Sequence, residues 1–111
     1  MSNVTSIMLC FSPYEEYDID GTIIIANRIN SWVKETMADN RVLVQASDKA
    51  GGDRVFQHFV YMGAFNYFPT DRFIEFLRQL EWISPEFVQI FVKEEDDEDF
   101  TMMRLQDDFE G

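Results

Sequence analysis

The sequence predicts an α+β domain in which a mainly antiparallel sheet carries two helices on one face. Short apolar segments of strand length and two amphipathic segments of helical period occur in the order strand, helix, strand, strand, helix, strand, strand. With 46% hydrophobic residues, the 111-residue chain is large enough to bury one core and too short for two. We therefore expect one domain over residues 1–105, followed by a flexible acidic tail over residues 106–111.

The first two predicted elements are a strand and an amphipathic helix. The apolar run from Val4 to Phe11 is closed by a Ser-Pro dipeptide, which predicts a buried strand. A helix should follow, with Asp20 or Thr22 as its cap and its end near Asp39-Asn40. Its apolar stripe recurs at helical spacing and comprises Thr22, Ala26, Ile29, Val33 and Met37. The β-branched run Ile23–Ile25 lowers helix propensity, so a strand here is the alternative.

A hairpin is predicted next. Arg41 to Ser47 carries successive aliphatic residues and predicts the second strand. The paired glycines of the segment Asp48–Asp53 permit the positive φ angles of a turn. The partner strand should run from Arg54 to about Phe68, and Gly63-Ala64 in its middle should break it into two parts.

The C-terminal part adds one helix and two strands. Thr70 is placed to cap a helix that ends before Ser84-Pro85. The apolar stripe of this helix comprises Phe73, Phe76, Leu77 and Leu80. Strands are expected from Phe87 to Val92 and from Phe100 to Leu105, with an acidic loop between them. The whole order is that of a ferredoxin-like βαββαβ layout with one added C-terminal strand, a layout that hosts many unrelated functions.

Charge and hydropathy narrow the classes of partner. The formal net charge of −12 repels nucleic-acid phosphates and anionic membranes. No apolar run approaches the roughly 18 residues that span a bilayer, and the N-terminal residues lack the basic start of a signal peptide. We therefore expect a cytoplasmic chain without direct contact with nucleic acid or membrane. The single cysteine, Cys10, excludes an internal disulfide and is predicted to be a core residue.

No metal or cofactor is expected from the sequence. The segment from Glu16 to Ile23 matches the start of an EF-hand loop in part, with Gly21 at the sixth position. The twelfth position would be Asn27, where that motif needs a bidentate Glu, so we do not expect calcium binding. Neither a G-x-G-x-x-G motif nor a P-loop is present, which argues against nucleotide binding.

The first function hypothesis is an acidic protein-binding module, most concretely an inhibitor or immunity-type protein. Its acidic surface would dock on a basic partner, such as a nuclease or a nucleic-acid-binding protein, in place of the phosphate ligand. The predicted partner-binding residues are the acids of two segments, Glu15, Glu16, Asp18, Asp20, Glu94, Glu95, Asp96, Asp97, Glu98 and Asp99. A solvated loop that only caps a helix or closes a turn is the alternative interpretation of both segments.

The second hypothesis is a small ferredoxin-like enzyme or ligand-binding homodimer. An aromatic pocket would hold an organic molecule, with the only histidine as acid or base. The predicted pocket residues are His58, Tyr61, Phe65, Tyr67 and Trp82. No spacing of nucleophile and base predicts a catalytic residue, so a binding role is favoured over catalysis. A closed core without an enclosed pocket would favour the first hypothesis.

Overall fold

A computed structural model of the chain describes residues 3–38 and 40–106. Its helices and strands follow the predicted order: β1 (Val4–Phe11), α1 (Ile24–Met37), β2 (Val44–Gln45), β3 (Phe59–Asn66), α2 (Thr70–Gln79), β4 (Gln89–Glu94) and β5 (Thr101–Met103). Most of the predicted tail, residues 107–111, lies outside the described residues. Neither helix in the described part of the chain has the length and apolar character that crossing a bilayer requires.

The five strands form one sheet in the order β2-β3-β1-β4-β5, and every neighbouring pair is antiparallel. Helix α1 connects β1 to β2 and helix α2 connects β3 to β4, so each connection skips one strand. The predicted ferredoxin-like arrangement is therefore confirmed, and β5 is the added strand, which pairs with the outer edge of β4.

The two faces of the sheet differ because successive side chains of a strand point to opposite sides. Along β1, the buried residues alternate with half-buried ones, and Ile7, Leu9 and Phe11 join the hydrophobic core. Both helices contribute their buried residues to this core, so they cover the same face of the sheet. The opposite face carries Met8 and Cys10 of β1, and we call it the open face.

The middle of the chain has the predicted antiparallel pairing of β2 with β3, but the paired segment is shorter and the connection longer than predicted. Strand β2 is confined to Val44–Gln45 because the Asn30 side chain binds the backbone of Leu43 through two hydrogen bonds of 3.0 Å. This ties the chain before Val44 to helix α1 instead of to the sheet. A loop with a short 3₁₀ turn at Ser47–Lys49 leads from Gln45 to Phe59, so the connection is longer than the predicted turn segment Asp48–Asp53, within which Gly52 has a positive φ angle of 96°.

Strand β3 is continuous through Gly63, contrary to the predicted break. Gly63 pairs with Ile7 of β1 within an unbroken ladder. A Cβ atom at this position would lie 3.0 Å from the Phe65 ring and 3.1 Å from Leu43. The glycine is therefore required by close side-chain packing inside the strand and does not mark a bulge.

The helix caps also differ from the prediction. Pro69 occupies the N-cap of α2, and the Thr70 hydroxyl donates to Glu94 at 3.2 Å instead of capping the helix. Helix α1 starts at Ile24, later than predicted. Asp20 binds the backbone and hydroxyl of Thr22 within the preceding loop, so neither residue caps the helix.

Candidate functional site

The two acidic segments lie at opposite ends of the sheet. Glu94 pairs with Thr5 at the start of β1, whereas the loop that contains Glu16 follows Phe11 at its end. The eight residues of β1 separate these ends by roughly 23 Å, at about 3.3 Å per residue. The two segments therefore do not form the single acidic surface that the first hypothesis grouped together.

Glu15 is a framework residue, and its predicted place on an exposed partner-binding surface is wrong. Its side chain is only 2% exposed. The carboxylate accepts hydrogen bonds from the backbone amides of Ile83 and Ser84, at 3.0 and 2.9 Å. These bonds join the loop after β1 to the connection between α2 and β4, because the buried carboxylate accepts two successive backbone amides of that connection.

Three acids near the end of β4 also take part in the fold. Glu94 accepts hydrogen bonds from the hydroxyls of Thr5, at 2.8 Å, and Thr70, at 3.2 Å. Glu95 accepts the first backbone amide of β1 at 3.0 Å. Asp97 accepts the backbone amide of Glu94 at 3.1 Å. These contacts hold the connection between β4 and β5 in a defined conformation.

The remaining acids of this connection display their charge. Asp96, Glu98 and Asp99 are all exposed. None of them forms a salt bridge with the residues that the structure describes. We call the segment Glu95–Asp99 the acidic turn. Its geometry combines a hydrogen-bonded frame with three carboxylates that face solvent.

The other acidic loop is closed by its own hydrogen bonds. The Asp18 amide donates to the Thr22 carbonyl at 2.7 Å, and the Gly21 amide donates to the Asp18 carbonyl at 2.9 Å. Gly21 has a φ angle of +85°, which favours glycine. The Thr22 hydroxyl donates to Asp20 and lowers the pKa of that carboxyl group. Glu16, Asp18 and Asp20 are exposed, and the described residues contain no cluster of three His, Cys, Asp or Glu side chains arranged for a metal.

The residues of the predicted aromatic pocket lie in several separate parts of the structure. Tyr61 and Trp82 both contact Phe11, with ring centroids 5.6 and 5.5 Å away, and burial raises the pKa of Tyr61. Phe65 stacks on Phe68 at 5.0 Å, in the part of the core beneath the helices. These rings pack against neighbouring core residues of the described chain.

The other two predicted pocket residues lie elsewhere. Tyr67 is 66% exposed and has a φ angle of 55°. His58 precedes β3 on the open face, and its ring lies 6.0 Å from that of Phe87. The five residues predicted to form one pocket are therefore not brought together.

His58 instead borders a groove of about 490 Å³ at one end of the open face. Cys10 and Gln89 line it from the sheet, and the loop from Gly51 to Gln57 lines it from outside. Within this loop, the side chain of Val55 is 85% exposed. Burial raises the pKa of Cys10, which keeps the group a thiol at neutral pH.

The open face also carries an apolar row that sequence reasoning missed. Strand pairing places one residue from each of the five strands side by side, in the order Val44, Met62, Met8, Phe91 and Met102. We call these five residues the apolar row. Val44, Met62 and Met102 are 64, 41 and 43% exposed. The available signal was two runs of consecutive apolar residues, Ile7–Phe11 in β1 and Ile90–Val92 in β4, because a run of this kind places at least one apolar side chain on each face of the sheet.

No family model, no curated protein and no solved structure matches this chain. The fold and its exposed surfaces thus define an α+β protein of ferredoxin-like arrangement, with an acidic turn and an uncovered sheet face.

Proposed function

We propose that this chain is a cytoplasmic, acidic protein-binding module that docks on the basic surface of another protein. The observation that carries this proposal is the acidic turn, where Asp96, Glu98 and Asp99 are exposed on a hydrogen-bonded frame. A fixed turn presents charge without the entropy cost of ordering a flexible segment on binding. The most concrete form is an inhibitor or immunity-type protein.

The net charge supports a basic partner. At −12, the whole chain attracts a basic protein over several ångströms and accelerates the first encounter. A nuclease or a nucleic-acid-binding protein holds phosphate on a positively charged surface, which is complementary to the negative charge of this chain. A protein that occupies this surface excludes the nucleic acid and thereby inhibits its partner.

The alternative of an enzyme or ligand-binding dimer has less support. Its five predicted pocket residues are divided between the core, the surface and the open face. The groove beside His58 contains none of the predicted aromatic residues. The thiol of Cys10, which lines this groove, has a pKa raised by burial, and this disfavours the thiolate that a cysteine nucleophile needs.

The proposal is tested by removing charge at two places. One triple variant carries Asp96→Asn, Glu98→Gln and Asp99→Asn in the acidic turn. The matched control carries Glu35→Gln, Asp71→Asn and Glu81→Gln, three exposed acids outside that turn. Both variants lose three negative charges. A difference between their association rates therefore depends on where the charges lie and not on the net charge.

The partner is first captured from an extract of the native cell, and binding kinetics are then measured at about 50 and 300 mM salt. We expect the acidic-turn variant to associate about tenfold more slowly at low salt, with a smaller change in dissociation. The control should remain within about twofold of the wild type. Equal association rates for both variants, or no saturable partner at low salt, would contradict the proposal.

A further inference from the structure

We infer that the open face is the surface on which the basic partner docks, and that the apolar row contacts the apolar centre of the partner's interface. This inference rests on the proposed function and adds the place and the chemistry of the contact.

The apolar row is the first evidence, because it crosses the complete sheet. Its residues are neighbours by strand register and not by sequence. Three of the five are more than 40% exposed, although each is a large apolar side chain. Single exposed apolar residues are common on proteins, but a contiguous set on one flat face marks an interaction surface. Methionine side chains also adapt to irregular partner surfaces.

The position of the acidic turn is the second evidence. Phe91 and Met102 of the apolar row lie on β4 and β5, the two strands that the acidic turn connects. The acidic turn, with the exposed carboxylates of Asp96, Glu98 and Asp99, therefore lies at the end of the two strands that carry this part of the apolar row. An apolar centre with a charged rim is the usual arrangement of a protein interface, and a negative rim selects a partner with a positive one.

The open face supplies about half of the area that one partner typically buries in an interface. Five strands at about 4.8 Å spacing span roughly 19 Å, and six residues along a strand span about 20 Å. The flat area is thus roughly 400 Å², while a typical partner buries about 800 Å². The acidic turn and the exposed loop from Gly51 to Gln57 flank this face and can contribute the remainder.

Nucleic acid and a second copy of this chain fit this face less well. Within the five described strands, Phe91 is the only aromatic and Lys93 the only cation on the open face. Bases would lack the paired aromatic platforms, and phosphates the cations, that binding on a sheet requires. A second copy would bring together two chains of charge −12, which repel each other.

The test exchanges apolar for polar side chains without changing charge. The face variant carries Met62→Gln and Met102→Gln. The matched control carries Ile19→Gln and Ile83→Gln, two exposed apolar residues outside the strands. With the captured partner, we expect the face variant to dissociate about tenfold faster at an almost unchanged association rate. The control should bind as the wild type does, and both variants should retain the wild-type melting temperature.

The reactivity of Cys10 provides an independent measurement of whether the open face is covered. Cys10 is the only cysteine of the chain and lies beside the apolar row, opposite Val60 and Gln89. Saturating partner should slow its alkylation by a small maleimide about tenfold or more, because a docked interface excludes solvent. An unchanged alkylation rate in the saturated complex would overturn the inference.

The outcomes separate this inference from the proposed function. If the acidic-turn variant associates slowly while the face variant binds as the wild type, the proposed function stands and the docking face is wrong. If the wild type is a dimer and the face variant a monomer, the occupant is a second copy and the inference is overturned. Loss of the captured complex on ribonuclease or deoxyribonuclease treatment would overturn it in favour of nucleic acid.

Discussion

The side chain of Glu15 accepts hydrogen bonds from two successive backbone amides, those of Ile83 and Ser84, at 3.0 and 2.9 Å. These residues are far from Glu15 in the sequence, so one carboxylate joins two distant connections of the chain. Glu94 has a similar role between Thr5 and Thr70. At the scale of single residues, carboxylates of this acidic chain divide into those that hold the fold together and those that display charge.

We predict that Glu15→Ala destabilises the fold by about 2–4 kcal/mol, because a buried carboxylate and its two hydrogen bonds to backbone amides are lost. The matched control is Glu16→Ala at the neighbouring exposed position, which should change stability by less than about 0.5 kcal/mol. Urea unfolding of the three proteins measures both changes. Equal stability of the two variants would show that the Glu15 hydrogen bonds contribute little.

At the scale of elements, β3 is central to both surfaces of the sheet. It pairs with β1 over its full length and brings Phe65 to the core face and Met62 to the open face. The strand passes through Gly63 without a bulge because the Phe65 and Leu43 side chains occupy the space beside that residue. Side-chain packing therefore requires a glycine at position 63, while the backbone there has the conformation of an ordinary strand.

We predict that Gly63→Ala destabilises the protein by about 1–3 kcal/mol, because the added methyl group meets Phe65 and Leu43 at 3.0–3.1 Å. Gly51→Ala is the control, since a Cβ at Gly51 meets nothing within 4 Å. That change should be neutral or slightly stabilising. Thermal and urea unfolding provide the comparison, and a Gly63→Ala protein as stable as the wild type would contradict the packing argument.

At the scale of the whole molecule, the acidic residues outnumber the basic ones by more than two to one. The formal charge is 9 minus 21, or −12. Arg78 and Glu75 form a salt bridge of 3.1 Å on α2, while Asp96, Glu98 and Asp99 form none within the described chain. Folding brings these negative charges closer together, and this self-repulsion opposes the compact state.

We predict that the melting temperature rises when salt is increased from about 20 to 200 mM, because screening weakens the repulsion among carboxylates. The Asp96→Asn, Glu98→Gln, Asp99→Asn variant should be more stable than the wild type at low salt and should gain less from added salt. Calorimetry at the two ionic strengths measures both effects. A melting temperature that falls with added salt would contradict a repulsive charge balance.

The candidate site was predictable only in part. The negative charge and the exposure of the acidic turn follow from composition, since six consecutive carboxylates from Glu94 to Asp99 resist burial. The separation of the two acidic segments follows from the antiparallel pairing of β4 with β1, which the predicted layout contained, although the first hypothesis grouped the two segments together. The burial of Glu15 depends on partners 68 and 69 residues away, for which the local sequence contains no signal.

The sequence by itself determined the order of strands and helices and part of the buried stripe of each helix. These properties depend on periods of 2 and 3.6 residues, which are local and visible in the chain. Only the tertiary structure decided that β2 is short, that β3 is continuous and that His58 lies apart from the predicted aromatic pocket. It also decided that Val44, Met62, Met8, Phe91 and Met102 form one row. The physical reason is that strand register and side-chain hydrogen bonds join residues that are distant in sequence, and neither leaves a periodic signal in the chain.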